Sequence, residues 1–394
     1  MINSQEDNMS VGLYCNWGVK VESNGFYISS VDAKYLYAFK KIHGSITLLS
    51  SATTKKNENQ DVFISFSDIS LISLPVFSSY IGSIRFFIPI LRGVKRLLAT
   101  SRNIYVRTPE PFGWLFSVLK NREYHLINYH FTSNPIEVIK NKEGVSKTKK
   151  RFMLAFFYPE YIANCFAAYT CKCTVNGPSV IENIPHFLRK KAEVLIETTQ
   201  NSDDNSVEVD SKFADQNMVS FICVSRFVPA KGLGLLIDAF ALFKSGNPDK
   251  NFQLMLAGDG PLLNNIKDKV NSLGLNDRVT FLGYLKNGDE LNKRYCEADV
   301  FVNPSLSETG PRVLLEAMSN SLFCISTDVG YVKHVMIDNN ESYGLIINKN
   351  SISELANSID FVFNNISYCR RVAMNGAFIS SKYTLDKFVQ KVFL

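Results

Sequence analysis

The run Ser307-Glu308-Thr309-Gly310-Pro311-Arg312-Val313-Leu314-Leu315-Glu316-Ala317-Met318 lies between two short apolar stretches, Val300-Phe301-Val302 and Phe323-Cys324-Ile325-Ser326. Strand, loop, helix and strand in that order make a βα unit of a parallel sheet. Glu308 falls in a Ser/Thr/Gly/Pro loop. Glu316 sits two turns into an apolar helix that Pro311 opens, because Pro at the first helical position gives up only an N–H that had no partner. The helical rise plus the loop places the two carboxylates roughly 9–12 Å apart. A glycosidase pair stands about 5–9.5 Å apart across one bond. The longer separation suits gripping two ends of a long ligand over a helix N-terminus, which favours phosphate.

The same alternation continues upstream. Val219–Val224, Gln253–Ala257 and Val279–Leu282 read as strands, and Gly234–Lys244, Leu262–Leu273 and Glu290–Ala298 as helices. Such a pattern predicts a doubly wound sheet, whose ligands gather at the loops after the strands' carboxyl ends. One such loop carries Ser225-Arg226-Phe227-Val228-Pro229-Ala230-Lys231-Gly232. Arg226 and Lys231 there combine a planar donor fork with a point charge, as a diphosphate clamp needs, or they serve surface solubility. The next loop, Gly258-Asp259-Gly260-Pro261, brings backbone close to a ligand, or is an ordinary Gly-Pro turn. The chain has neither GxGxxG nor GxxxxGK[ST], so dinucleotide and P-loop readings lose their main support.

Earlier in the chain the pattern is weaker. Val11–Cys15, Ser45–Leu49, Asp61–Ser65, Asn103–Arg107 and Tyr124–Tyr129 read as strands, Val31–Lys41 and Pro111–Leu119 as helices, and Asn24–Ile28 as a turn. These again suggest a parallel sheet. Thr198–Asp215, poor in large apolar residues, reads as an exposed loop near a domain boundary. With 394 residues, the chain exceeds one ordinary core.

Composition narrows the class. With 46% apolar and 20% charged residues and no uncharged apolar run of 18, the chain reads as soluble and globular. Its polar, acidic start reads as no secretory signal. The eight cysteines are scattered, and Cys171-Lys172-Cys173 has no companion cluster, so reduced cytosolic thiols are expected rather than zinc. Net charge is +6, but Phe77–Arg151 alone carries 14 Lys/Arg against four acids, a local balance of +10. Within it, Phe86, Phe87, Ile88, Ile90 and Leu91 mix with Arg85, Arg92, Lys95 and Arg96. This is either a surface for anionic lipid or a core-facing helix with a solvated basic edge. No nucleic-acid motif accompanies the charge.

The ordered set is specific where its parts are not. Arg226…Lys231-Gly232, Gly258-Asp259-Gly260-Pro261, Val279-Thr280-Phe281-Leu282-Gly283-Tyr284 and Pro304-Ser305-x-Ser307-Glu308-x7-Glu316-Ala317-Met318 closely resemble the nucleotide-binding half of retaining GT-B glycosyltransferases of the group-1, or family 4, class. The likeness covers about Val219–Asp360. It implies an α/β GT-B fold with two Rossmann-like doubly wound domains facing a cleft. The expected parts are an acceptor domain over 1–210, a nucleotide-sugar domain over 211–365, and a segment 366–394 that packs back on the first. The resemblance gives Arg226 and Lys231 the donor diphosphate, with Gly258 also donor-binding, and gives Glu308 the donor sugar beside the reacting carbon. Glu316 would take the ribose hydroxyls, backbone at Gly310 and Arg312 the phosphates, and backbone at Tyr284 and Leu285 the nucleobase. It implies no metal or other cofactor, since the nucleotide diphosphate sugar is a substrate.

Two departures bear on donor identity. Thr309-Gly310-Pro311 replaces a Gly-aromatic-Gly, and Pro311 offers no N–H to phosphate. Ser321 and Phe323 stand where the family has Gly and Pro. In the first half, His130 resembles a family histidine near the donor sugar, or is a core histidine. Asn24-Gly25-Phe26 resembles the loop that approaches donor phosphate and acceptor, or is a simple turn. Arg107-Thr108-Pro109-Glu110 either contacts acceptor or caps a helix.

The implied activity is sugar transfer, of the retaining hexosyltransferase type, to a glycan or lipid-linked saccharide. The setting expected is bacterial O-antigen or capsule assembly at the cytosolic membrane face, by a cytoplasmic protein in peripheral contact with it. A nucleotide-sugar epimerase of the same architecture and a non-catalytic scaffold are the alternatives. The Glu308/Glu316 spacing speaks against the first, and the intact Arg226, Lys231 and glutamates against the second.

Overall fold

The computed structural model describes residues 10–55, 60–77, 79–140, 144–200, 212–213 and 218–394. The chain forms two compact units, Met1–Glu197 with Leu385–Leu394, and Thr198–Thr384. Each is built on its own sheet with flanking helices.

In the second unit the sequence pattern is followed closely. Here β11 (Met218–Val224), β12 (Asn251–Ala257), β13 (Val279–Gly283), β14 (Val300–Asn303), β15 (Phe323–Thr327) and β18 (Leu345–Ile347) form one sheet ordered β13-β12-β11-β14-β15-β18. All its pairings are parallel. A short antiparallel pair, β16 (Ile337–Asp338) and β17 (Glu341–Ser342), stands apart. The order reverses between β11 and β14, where a doubly wound sheet leaves a crevice for ligands. Its inner strands, β11, β12, β14 and β15, are mostly buried, so they read as largely apolar runs. Phe221, Leu254, Val300 and Ile325 pack with Leu236, Phe240 and Ile359 from the covering helices.

The first sheet carries β1 (Val11–Tyr14), β2 (Val19–Val21), β3 (Gly25–Ile28), β4 (Ile46–Thr53), β5 (Val62–Ser65), β6 (Ser70–Leu74), β7 (Asn103–Thr108), β8 (Leu126–Phe131), β9 (Lys172–Val175) and β10 (Glu193–Val194). Its order is β10-β9-β8-β7-β1-β4-β2-β3-β5, with β6 also beside β4. The strands from β10 to β4 are parallel, and β3 and β5 add an antiparallel edge. Within the run from β10 to β4 the chain order reverses between β7 and β1. This sheet therefore has a switch point of its own.

Three local expectations are corrected. Asn24–Ile28 is not simply a turn: Gly25–Ile28 is a strand, with Phe26 and Ile28 buried. A Cβ on Gly25 would meet the Ile64 carbonyl at 2.2 Å, so the pairing with β5 itself requires glycine. Pro111–Leu119 is helical only from Leu115, because Phe112 takes a left-handed φ of 56°. Its N–H is held by the Glu160 carboxylate, which offsets a conformation that costs about 1–2 kcal/mol. Thr198–Asp215 is not an exposed loop where it is described. Thr198, Thr199, Gln200, Lys212 and Phe213 are buried, and the rest of that stretch lies outside the described residues. Lys212 is covered because its ammonium donates to the carbonyls of Tyr295, Cys296 and Ala298 at the end of the helix Asp289–Glu297.

The segment returning to the first unit is Leu385–Leu394. Leu385, Phe388, Val389 and Val392 enter the core with Tyr35 and Tyr105, and the Val392 carbonyl accepts from Asn128 at 2.8 Å. The helix Ile366–Ser380 stays in the second unit, against the helix Arg312–Ser319 and β15.

The helix Phe87–Thr100 resolves the two readings of the basic stretch for its own length. Ile90, Gly93, Val94, Leu97 and Leu98 face the core, while Ile88, Arg92, Lys95 and Arg96 face outward. Of the five apolar residues singled out there, Ile88 alone is exposed.

Candidate functional site

The loops after β11 and β14 meet at the switch point of the second sheet. Pro229–Lys231 forms one 3-10 turn, and Gly232 follows with a left-handed φ of 65°. A Cβ on Gly232 would stand 2.1 Å from the Pro304 carbonyl oxygen, so only glycine lets the two loops touch. The Leu306 N–H donates to the Ala230 carbonyl at 2.8 Å, fastening them together. Thr327 Oγ1 holds the far side through the Ser305 carbonyl, at 2.5 Å.

That scaffold brings Lys231 and Glu308 into contact. Lys231 Nζ lies 2.5 Å from Glu308 Oε1, and both side chains are mostly buried, 15% and 12% exposed. Ser305 Oγ donates to the same carboxylate oxygen at 2.8 Å. Arg226, on the β11 loop, is exposed and makes no ion pair among the described residues. Gly258 begins the loop after β12 with φ 130°, and a Cβ there would meet the Ser225 carbonyl at 1.8 Å. The Phe227 N–H donates to the Asp259 carbonyl at 2.8 Å. Three strand-end loops thus pack on one another, as the order of the motifs predicts.

Glu316 lies deeper, on the helix Arg312–Ser319, and is 4% exposed. Its carboxylate is already filled. Oε1 accepts from Thr199 Oγ1 at 2.5 Å and from Asn287 Nδ2 at 2.8 Å. Oε2 accepts from the Tyr295 hydroxyl at 3.1 Å. Burial and this carboxylate push the Tyr295 phenol well above its ordinary range. Pro311 caps the helix one residue earlier than expected of a first helical residue, and its carbonyl accepts the first bond, from Leu314, at 2.9 Å. Gly310 backs onto Tyr331, whose ring would be 2.0 Å from an added Cβ. Tyr284 and Leu285 directly follow β13, Tyr284 exposed and Leu285 half-buried.

The structure does not gather every expected residue at these loops. Asn24 lies in the β2–β3 turn and Gly25 opens β3, while the loop directly after β1 is residues 15–18. His130 is fully buried in the first unit, between Tyr105 and Phe388, with Nδ1 against Thr174 Oγ1 at 2.9 Å. Burial holds its pKa down at about 4, so the ring is neutral at physiological pH. Arg107, beside it, forms a two-pronged pair with Glu197 at 3.2 and 3.3 Å. Thr199, Asn287 and Tyr295 had no signal in the sequence, and neither did Asn16, whose N–H donates to Glu110 Oε1 at 2.9 Å. Among the described residues no group of three or more His, Cys, Asp or Glu is placed to hold a metal.

Comparison with known proteins points to one family for the second unit. Residues 206–377 match the family described as glycosyl transferases group 1. An uncharacterised glycosyltransferase of Methanocaldococcus jannaschii is 32% identical over 169 residues, 43% of this chain and 45% of that protein. The chain spans half or less of the length of the curated relatives it matches first. Two solved structures are similar over nearly the full length. HepE of Anabaena, in complex with UDP, has a TM-score of 0.69 at 16% identity, covering 98% of each chain. WaaG, a glycosyltransferase involved in lipopolysaccharide biosynthesis, has a TM-score of 0.62 at 14% identity, covering 97% of this chain and 98% of that one. The chain has the GT-B fold, and residues 206–377, within its second unit, carry the likeness to the glycosyl transferases group 1 family.

Proposed function

We propose that the protein is a retaining glycosyltransferase that moves a sugar from a nucleoside diphosphate sugar to a hydroxyl of a glycan or lipid-linked saccharide. The observation that carries this reading is the Lys231–Glu308 contact at the switch point of the second sheet. Breaking the bond between the sugar's anomeric carbon and the diphosphate puts charge on the leaving group. Lys231 and Arg226 supply cations for that charge, with Lys231 held in place before the donor arrives. Glu308, on the facing loop, accepts from the hydroxyls of the donor sugar. Glu316 anchors the ribose by exchanging the Asn287 amide for a ribose hydroxyl. Gly310 and Arg312 open the helix towards phosphate, Gly258 admits the donor's backbone contacts, and Tyr284 and Leu285 flank the base. His130, being buried, packs in the acceptor-binding unit rather than touching the sugar, and Asn24 and Gly25 lie on the same unit.

Work at a membrane face fits the basic first unit and supports a role in surface polysaccharide assembly, such as O-antigen or capsule. The similarity to WaaG, a glycosyltransferase involved in lipopolysaccharide biosynthesis, is in keeping with that, and the similarity to HepE with bound UDP is in keeping with a nucleotide donor. No helix among the described residues is long and apolar enough to cross a membrane, so contact would be peripheral. The test is a panel of nucleotide sugars with nucleoside diphosphate release followed with and without a lipid-linked acceptor. Acceptor-dependent release is expected. Epimer formation without acceptor, or no turnover with any donor and acceptor, would overturn the reading.

A further inference from the structure

The first sheet has a site of its own. At its switch point, the loops after β1 and β7 are bridged by the Asn16 N–H and Glu110 Oε1. A cavity of about 340 Å³ opens beside that bridge, within the range of small-ligand pockets. Its walls are largely apolar, formed by Phe77, Tyr80, Ile81, Ile139, Met153 and Phe157. Besides Asn16 and the Ser79 and Tyr80 hydroxyls, its polar side chains are two carboxyls, Glu110 and Glu160, and among the described residues no Lys or Arg lines it. Glu160 is already engaged, by the Phe112 N–H, Trp114 Nε1, Asn164 Nδ2 and the Tyr80 hydroxyl. Glu110 keeps an oxygen that meets no donor among the described residues.

These features disfavour an anionic ligand and favour one with a long apolar part and a hydroxyl. The helices that supply Ile81, Met153 and Phe157 to the lining indicate where such a ligand comes from. Ile81 and Ile84 stand exposed on the helix Tyr80–Ile84, and Phe152 and Phe156 on the first half of the helix Lys147–Tyr169. Phe152 and Phe156 rest together at 4.7 Å between ring centroids, next to exposed Lys147, Lys149 and Arg151. Exposed aromatics and aliphatics among cations suit the interface of an anionic bilayer.

We propose that this cavity binds the alkyl segment of a neutral, hydroxyl-bearing membrane lipid, with Glu110 taking the hydroxyl. Resting on the transferase reading, this makes the acceptor a lipid held partly by its hydrocarbon. Burial raises the Glu110 pKa to about 8, so near neutral pH the group is a neutral acid that meets a hydroxyl without an unpaired charge.

The test uses the full chain with n-octyl β-D-glucoside below its micelle concentration, glucose, and octyl phosphate as probes. The readout is the indole N–H resonance of Trp114, which is bonded to Glu160 at the cavity wall and assigned through Trp17→Phe. Octyl glucoside should shift that resonance saturably, and glucose at equal concentration should not. Met153→Lys and Ile139→Lys, at half-buried wall positions, should weaken octyl glucoside at least tenfold while melting temperature is unchanged. Equal binding of glucose, tighter binding of octyl phosphate, or indifference to both lysine variants would overturn the proposal. Nucleoside diphosphate binding, measured in parallel, separates the two ideas. Amphiphile binding without nucleotide binding would count against the transferase and leave the lipid site standing.

Discussion

Lys231 Nζ and Glu308 Oε1 are 2.5 Å apart, on loops that follow neighbouring strands of the second sheet. The pair joins a cation suited to diphosphate with a carboxylate suited to sugar hydroxyls, and each holds the other in place. Removing the carboxylate's charge therefore does two things. Glu308→Gln should lower transfer on the order of 100-fold or more, the scale set by losing one organised polar group at a reaction centre. It should also leave nucleoside diphosphate binding as tight as before or tighter, because Lys231 no longer divides its charge. Turnover and calorimetric binding of the nucleoside diphosphate measure the two effects. Undiminished transfer in this variant would remove Glu308 from the reaction.

Glu316 supports a different expectation, because its carboxylate is saturated by Thr199, Asn287 and Tyr295. Glu316→Ala leaves three buried or half-buried donors without their acceptor and should cost about 2–4 kcal/mol of stability. Asn287→Ala removes only the donor that a ribose hydroxyl would replace in the proposed donor complex. Nucleoside diphosphate affinity should then rise several-fold, about the worth of one hydrogen bond. A loss of affinity in Asn287→Ala would mean that the amide contacts the ligand directly.

The tight approach of the two loops is tested at Gly232. Alanine there meets both a left-handed φ of 65° and the Pro304 carbonyl at 2.1 Å. The expected loss is about 2 kcal/mol or more, or roughly 4–8 °C in melting temperature for a unit of this size. Nucleoside diphosphate binding should fall with it, since Lys231 is the preceding residue. An unchanged melting temperature would show that the loops can part without cost.

The second unit was legible because its strands are apolar throughout and its special residues sit at strand ends, where spacing alone locates them. Every strand expected between Val219 and Ser326 is present within two residues at each end. The partners of Glu316 were hidden for the opposite reason: they lie 117, 29 and 21 residues away, and no periodicity links them. In the first unit, β2, β3 and β6 are short strands with mixed burial, and the sheet is partly antiparallel. The helix Lys147–Tyr169 has exposed aromatics and an internal Pro159, so it shows no apolar stripe to read. Glu110 was named only as an acceptor contact or cap. Its bond to Asn16 spans 94 residues and became visible only with the strand order.

Glu110 gives a pH dependence with a definite sign. Its folded pKa of about 8 stands above the ordinary 4.5, because burial outweighs the Asn16 N–H and the Arg107 charge. Between those two values the folded protein keeps a proton that the unfolded chain has released. Its contribution to stability is therefore complete below about 4.5 and is lost as pH rises towards 8. Glu160 is shifted the same way by burial and adds to the slope. Glu110→Gln keeps an oxygen for the Asn16 N–H but does not titrate, so melting temperature should fall less steeply from pH 5 to 8 than in the parent. Parallel slopes for the two proteins would show that Glu110 ionises freely in the fold.

The last expectation concerns the membrane face. In the helix Phe87–Thr100 the apolar side is spent on the core, so that helix offers lipid mainly charge. The better candidate is the first half of Lys147–Tyr169, where Phe152 and Phe156 are 61% and 45% exposed beside Lys147, Lys149 and Arg151. Near an anionic surface each such cation contributes about 1 kcal/mol, so reversing all three to Glu should weaken vesicle binding by 100-fold or more. Phe152→Ala with Phe156→Ala should weaken it less and without changing its salt dependence, since insertion of rings is not screened. Co-sedimentation with vesicles of phosphatidylglycerol and phosphatidylcholine, against phosphatidylcholine alone, measures both. Reversing Arg92, Lys95 and Arg96 instead separates the two helices. A larger loss from that second set would move the contact to Phe87–Thr100, and equal binding to neutral vesicles would remove charge from the explanation.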